Sequence, residues 1–584
     1  MNNSYSKNNI KQIVYSLFPF QYFSYVATCL GQLINGFFIG NLLSSLDMAA
    51  LGFYNPFQTI VGVFAGVVSS GARIVCGNYI GRGQKDKINE TFSAAVYLLL
   101  IFGSITTICS IFFAPTIADL LGTSVGCFDL TVDYIRTMGL GLIPDMLSTC
   151  LIVFLQMHNE LAYSLYAVIL LGACSLLLDF FVSKTITFSI FVAGLLYSIS
   201  KLIVFLFILI KFVKSKSLPK LTIAKDFNMY KSICKLGLPA GLFGLLVGIR
   251  NVEINKATLI YGGEMAVSGV SILCNTQCIY DGVPVAISTI ITMLSSVYYG
   301  EKDRESIKQV FKTTVIFGEL ITIFRILVIV LFTDKIALLY GVSLEVIQYT
   351  KYVYLFYGLA FPLNILVFGY MYTYQSLGKT TYCNIVYFVT VVLINIFCCR
   401  CLSIYFGLFG IWFGYILQEI TNLVIVFVYA WIKKKKYSFK LDDVLFLDDE
   451  INVGSHITIS INDIKDVMSV AHEIQKYCEN EGVDKRRASL SGLCCEEISS
   501  NIIEHGFTKS KKRNKFIDIY CDVDDISKNV NIRIKDNAVS FDPHIKLQNN
   551  DDLSANVGIR LVSKIAKKMN YQNDFGLNVL TIEL

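Results

Sequence analysis

The chain has 584 residues, of which 54% are hydrophobic and only 16% charged, and its mean hydropathy is +0.57. A soluble chain carries charge at about a quarter of its positions, so an ordinary soluble globule is excluded and an integral membrane protein is indicated. The net charge of +6 comes from loop lysines and arginines gathered at expected membrane edges, which argues against a nucleic-acid partner.

The N-terminal stretch MNNSYSKNNIKQIVYSLF is weakly basic without a small-residue cleavage site, so it reads as a retained first helix rather than a signal peptide. Apolar blocks of bilayer-spanning length follow at about 12–40, 50–78, 93–115, 129–155, 163–183, 187–212, 235–261, 267–297, 313–333, 348–374, 382–400 and 408–432. They predict about twelve crossings. With the N-terminus inside, GRGQKDK, KFVKSKSLPKLTIAKDFNMYKSICK, EKDRESIKQVFK and the lysines 433–436 share one side. The other side keeps chiefly Lys184, Lys335 and Arg400. The basic side is expected to be cytoplasmic, and both termini with it.

An internal repeat runs through these blocks. NYIGRGQKDKINETFSAAV aligns with VYYGEKDRESIKQVFKTTV, placing Tyr79 on Tyr298, Gly81 on Gly300, Ile88 on Ile307, Phe92 on Phe311 and Val96 on Val315. The same shift places Gln156 on Gln375. Two halves of six crossings each have the same orientation, with a pseudo-two-fold axis along the membrane normal.

Many of the seventeen cysteines, such as Cys174, Cys274 and Cys278, lie in apolar runs and read as small packing residues. The cluster FCCRC at Cys398, Cys399 and Cys401 lacks a histidine or carboxylate at ligand spacing, which favours packing over metal. Ionisable residues inside a membrane face a cavity or a partner. Glu253 stands first among them, followed by Asp281 and Asp179; an internal pair of Glu253 with Arg250 or Lys256 is the structural alternative. Asp145, Glu319 with Arg325, and Glu419 read as packing or interfacial groups.

Beyond residue 436 the character changes. Strand-like runs (ITISI, KFIDIYCDV, VNIRIKD, NVLTIEL) mix with helix-like runs at 463–480, 484–506 and 557–569, enough for one soluble α+β domain. The expected divisions are a first lobe at 1–222, a second at 223–436, a linker at 437–449 and a domain at 450–584. Within CCEEISSNIIEHGF, Glu497, Asn501 and His505 are spaced to share one helix face.

The membrane half resembles the multidrug and toxin extrusion (MATE) transporters. The resemblance rests on GQLINGFFIGNLLSSLDMAALGFYNPF, GNYIGRGQKDK, LLLDFF near Asp179, FLQMHNE, GLPAG at 237–241 and YQSLGKT. It implies a polytopic helical membrane protein of two six-helix lobes that alternate access to a central cavity in the bacterial inner membrane. It further implies Na⁺- or H⁺-coupled export of a small amphipathic solute, with Glu253, Asp281, Asp179 and Asn35 at the coupling positions. Asn35 stands where many members of the family carry an acid. A lipid-linked-oligosaccharide flippase of the same superfamily is an alternative, compatible with Arg73, Arg250 and Lys256.

The tail resembles the GHKL ATP-binding fold, in its anti-sigma-factor serine kinase branch, an α+β sandwich. RIKDNAVSFDP, NVGIRLVSKIAKKMNY and GLNVLTIEL carry that resemblance together with the 497–505 helix. It implies Mg²⁺ on Asn501, Glu497 as catalytic base, and ATP contacts from Asn501, His505, Asp536, Gly558, Gly576 and Asn578. Two positions depart from the pattern: Ala538 replaces a glycine, and the lid is reduced to SANVGI. The expected tail partner is a cytoplasmic regulatory protein, and a membrane-anchored signalling kinase with a sensor-like membrane half is the other alternative. No P-loop GxxxxGK[ST] occurs, so ATP is not expected to drive transport directly.

Overall fold

The computed structural model describes residues 4–123, 125–185, 187–215, 217–339, 344–434, 440–447, 451, 456–461, 463–509, 515–524, 527–539, 557–574 and 576–584. Residues 435 and 436 of the lysine run, parts of the linker and residues 554–556 of the shortened lid lie outside them.

The membrane half opens with α1 (Ser4–Leu42), α2 (Ser45–Gly81), α3 (Lys85–Phe112) and the pair α4 (Phe128–Leu140) and α5 (Leu142–Met157), bent by 45°. Then come α6 (Leu161–Thr185), α7 (Ile190–Lys214), the long α8 (Phe227–Gly300), α9 (Arg304–Leu339) and α10 (Leu344–Ser376). The last two are α11 (Thr380–Phe406) and α12 (Leu408–Lys433). Among the described residues ten helices are long and apolar enough to cross a membrane, or eleven with the bent pair as one span. The remaining expected block, 313–333, lies within α9.

Local chemistry sets several boundaries. Asp47 and Ser44 form a capping box at the start of α2, the Ser44 amide donating to Asp47 Oδ2 at 3.0 Å. Within α8, Gly263 has φ 64°, a left-handed conformation suited to glycine, and the chain doubles back there. Both far ends of α8 therefore meet α2. The first helix is shared between lobes: Ile10–Phe18 pack with second-lobe residues such as Ile287 and Phe311, whereas Ile39 packs with Tyr54 and Ile135.

The C-terminal unit is a five-stranded antiparallel sheet in the order β1-β2-β3-β5-β4. Its strands are β1 (His456–Ile461), β2 (Ile517–Val523), β3 (Val530–Asp536), β4 (Lys568–Asp574) and β5 (Leu577–Glu583). Along β2 and β3 alternate residues are buried, so Ile517, Ile519, Cys521, Ile532 and Ile534 face α13 (Val467–Asn480) and α14 (Lys485–Asn501). α15 (Val557–Ile565) covers the same face through Ile559 and Val562. The expected helix over 557–569 ends at Ile565, and β4 begins at Lys568. KMNYQND carries only two apolar residues, Met569 and Tyr571, which alternate onto the core while the strand pairs with β5.

Between the units, residues 444–447 are buried in the second lobe's apolar cluster. Tyr374 donates its hydroxyl to the Val444 carbonyl at 2.5 Å, and Lys379 lies over the Phe446 ring at 4.7 Å. The linker is thus seated on the membrane half.

Candidate functional sites

The lobes pack closely along α2 and α8, from the end beside the C-terminal domain as far as Gly241, whose Cβ would lie 2.9 Å from the Val63 carbonyl oxygen. A Cβ at Gly71 would overlap the Ile233 carbonyl oxygen, and one at Gly237 would overlap that of Val67. Gly77 is pressed on Ser296, Gly81 on Val297, and Gly300 on Asn78. Gln375 ties the same region together, donating to Ser70 Oγ at 3.2 Å and to the Leu236 carbonyl at 2.8 Å. Further along the same helices, nothing lies within 4 Å of a Cβ at Gly62, Gly66, Gly244 or Gly248. The helices therefore touch beside the C-terminal domain, and past Gly241 the glycines of α8 at 244 and 248 face open space.

In the first lobe Asp179 is 1% exposed, and neither carboxylate oxygen has a hydrogen-bond partner among the described residues. Ser175, one turn earlier on the same helix, is also buried with its hydroxyl unsatisfied. The Asn35 amide is buried without a well-formed hydrogen bond, and the Tyr134 hydroxyl lies beside it, within the field of Asp179. A buried carboxylate with no protein partner is costly as a bare anion.

In the second lobe Asp281 is held, not bare. Tyr357 donates to Oδ1 at 2.5 Å and Gln277 to Oδ2 at 2.7 Å. Arg250 donates to Gln418 and Asn251 at 3.2–3.3 Å, and Gln418 donates to Glu419 at 2.9 Å. Arg325 stacks on Phe361 at 4.0 Å and its guanidinium nitrogens meet no hydrogen-bond partner among the described residues. Glu253 pairs with Arg400 at 3.4 Å rather than with Arg250 or Lys256. Arg250 is turned inward to Gln418, and Lys256 points to an exposed surface.

In the C-terminal unit, α14, α15 and the ends of β3 and β5 gather most of the expected residues. A Cβ at Gly558 would overlap Glu497 Oε2 and lie 3.4 Å from Asn501 Nδ2, so these three form one tight cradle. Asn501 Nδ2 donates to the Glu497 carbonyl at 2.7 Å, leaving Oδ1 as the hard oxygen of the pair. Asp536 is 5% exposed; its Oδ1 accepts the Ala538 amide at 2.8 Å and Asn578 Nδ2 at 2.7 Å. Asn578 Oδ1 accepts from Tyr571 and Asn573, both at 2.7 Å. Gly576 supplies the β4–β5 turn with φ 76°. A Cβ at Gly506 would lie 2.8 Å from Ala538 Cβ, which seats the end of this helix on the Asp536 loop.

His505 stands apart from that cradle. The α-helix ends at Asn501 and widens into a π turn over Ile502–Gly506, which rotates His505 off the shared face to an exposed position.

The sequence profile of the MatE family matches residues 22–181 and again 239–400. The chain belongs to the MatE family. The profile described as a histidine kinase-like ATPase domain matches residues 462–584. "Probable multidrug resistance protein NorM" of Streptococcus pneumoniae is 26% identical over 160 residues, covering 27% of this chain and 34% of that protein. "Multidrug export protein MepA" of Staphylococcus saprophyticus is 24% identical over 311 residues, covering 52% of this chain and 66% of that one. The match thus spans about a third to two thirds of these curated relatives. A solved MOP superfamily transporter from Pyrococcus furiosus, reported with a binding pocket of reverse polarity, aligns with TM-score 0.67 at 17% identity. That alignment covers 73% of this chain and 96% of the other.

In this MatE chain the repeat legible in the sequence corresponds to the two matched copies, and the ATPase-like domain follows them. The residue that sequence reasoning missed is Glu301, 5% exposed at the end of α8, which binds Lys535 and Arg533 of β3. Its signal was a break in the repeat: Glu301 stands where the first copy has Arg82.

Proposed function

We propose that this protein exports an amphipathic small molecule across the bacterial inner membrane in exchange for H⁺ or Na⁺, with both termini cytoplasmic. The observation that carries the reading is Asp179, buried with neither oxygen partnered among the described residues and close enough to Tyr134 for its charge to act on that hydroxyl. In a low-dielectric interior such a carboxylate holds a proton or cation rather than standing bare. Loading from the divergent side and release after the lobes rock would couple the ion to the solute. Contact at the basic-loop end with divergence at the other corresponds to a cavity facing outward. The test is efflux from proteoliposomes under an imposed pH or Na⁺ gradient; flux indifferent to both would overturn the coupling.

The C-terminal domain would bind Mg-ATP as a regulatory or kinase-like module. Its fit to Mg²⁺ rests on the Gly558 cradle and on Asn501 Oδ1, which is free of the helix backbone. Bound there, Mg²⁺ would neutralise phosphate charge. Glu497, beside it, would accept a proton from an attacking hydroxyl, and Asp536 would accept a hydrogen bond from the adenine amino group. A signalling role would require a cytoplasmic serine-bearing protein as substrate.

One observation favours a second reading of the cargo. The Arg325 guanidinium, unpartnered on Phe361, suits a carboxylate or phosphate, as a lipid-linked substrate would carry. Competition of anionic against cationic amphiphiles in the same flux measurement separates the two readings.

A further inference from the structure

The sheet face opposite α13 and α14 is not free. Ile532 and Ile534 point into the domain core, so Arg533 and Lys535 between and beyond them point outward. Both reach Glu301, the residue that follows α8. Lys535 Nζ pairs with Glu301 Oε2, and Arg533 Nη1 lies 3.9 Å from that oxygen and 3.5 Å from the Glu301 carbonyl. Lys535 Nζ also sits 4.9 Å over the Tyr298 ring.

The same face holds the first lobe. Asn570 of β4 donates to the Gly83 carbonyl at 3.2 Å, in the loop between α2 and α3. Gly576, in the β4–β5 turn, faces Asn159, whose Oδ1 would lie 3.5 Å from a Cβ there. One rigid sheet therefore grips Glu301 of the second lobe and residues 83 and 159 of the first.

These grips sit on the helix ends that close this side. Gly81, two residues before Gly83, is packed on Val297; Gly300, next to Glu301, is packed on Asn78. Parting the lobes here must separate Gly83 from Glu301, which cannot happen while one sheet holds both. We propose that the open face of the C-terminal sheet is a clamp that locks the two lobes together at this end. The buried Glu301–Lys535–Arg533 cluster and the seated linker fix the clamp on the second lobe. The neutral contacts at Gly83 and Asn159 are those that opening breaks.

The clamp is wired to the proposed nucleotide site, a link that rests on the nucleotide reading above. Lys535 adjoins Asp536 in β3, and Asn578, bonded to Asp536, lies two residues from Gly576. By linkage, a nucleotide that binds one clamp position better than another shifts gate opening by the same factor by which opening shifts nucleotide affinity.

Hydrogen exchange on the full-length protein in nanodiscs tests the clamp. Removing one partner of a buried charge cluster is strongly destabilising, so Glu301→Lys should raise exchange about tenfold or more over 82–84, 158–160 and 568–574. Glu301→Lys combined with Lys535→Glu should restore most of the protection. Glu301→Gln, which keeps the size, should give an intermediate rise with an unchanged helical circular dichroism spectrum. Unchanged exchange at 82–84 in Glu301→Lys, or a rise that the charge swap fails to reverse, would overturn the clamp. If the swap behaves as expected while Mg-ATP binds and leaves exchange unaltered, the clamp stands and its link to nucleotide falls. If Mg-ATP does not bind at all, the nucleotide reading falls alone.

Discussion

Gly71 of α2 and Ile233 of α8 meet backbone to backbone, so closely that a Cβ at 71 would overlap the Ile233 carbonyl oxygen. Backbone cannot swing aside as a flexible side chain can. Gly71→Ala should therefore push the lobes apart at this end, at a cost of about 1–3 kcal/mol to the closed arrangement. The expected outcome is faster hydrogen exchange in 66–71 and 233–237 and at least a several-fold loss of efflux from proteoliposomes. A Gly71→Ala protein with unaltered flux and exchange would show that the lobes do not need this contact.

The Asn501 side chain is tied by its Nδ2 to the Glu497 carbonyl, which leaves Oδ1 for the proposed Mg²⁺. Asn501→Ala should remove most of the Mg²⁺-dependent part of ATP binding while sparing the small Mg²⁺-independent part. Calorimetry on the full chain with and without Mg²⁺ measures this. Equal ATP affinity in both conditions and in both proteins would remove Asn501 from the metal.

A substitution at Gly558 would separate the proposed nucleotide binding from the proposed chemistry. Its neighbour Glu497 Oε2 is the far end of a flexible side chain, so Gly558→Ala can be accommodated by moving that carboxylate. The variant should bind Mg-ATP within a few-fold of the parent yet lose phosphoryl transfer or hydrolysis by about a hundredfold, the scale of a misplaced general base. Loss of binding and turnover by the same factor would instead give Gly558 a role in holding phosphate.

What the sequence makes legible follows from the range of the forces involved. Twelve apolar blocks and their repeat are one-dimensional patterns imposed by the bilayer, and they carry over into α1–α12 with shifted edges. β4 is different: KMNYQND offers only the short alternation of Met569 and Tyr571, too little to outweigh the helix-like run before it, and pairing with β5 makes it a strand. The π turn after Asn501 could not be read from the i, i+4 spacing that grouped His505 with Glu497, because spacing assumes 3.6 residues per turn. Ion pairs were the least legible. Near neighbours of Glu253 suggested a local pair, but its partner Arg400 is 147 residues away, and Glu301 and Lys535 are 234 apart. Only the mismatch of Glu301 with Arg82 in the repeat marked that site. Asp179 was readable as an acid in an apolar run; that both oxygens would be left unpartnered depends on the packing of α6 against its neighbours.

Asp179 and Glu253 make the sharpest comparison for ion coupling. Asp179 is buried and unpartnered among the described residues, whereas Glu253 is 22% exposed and paired with Arg400, itself 68% exposed. An exposed pair of this kind is worth about 0–1 kcal/mol and is screened by salt, so Glu253→Gln should leave most of the flux and its ion dependence in place. Asp179→Asn keeps the size of the side chain but removes the carboxylate proposed to take up a cation or proton. It should abolish gradient-driven efflux while leaving solute binding measurable, since the loss falls on the ion and not on the cavity. Flux from both variants under identical pH and Na⁺ gradients decides between them. Loss in Glu253→Gln with retention in Asp179→Asn would move the coupling site to the second lobe, where Glu253, Asp281 and the buried arginines would have to share it.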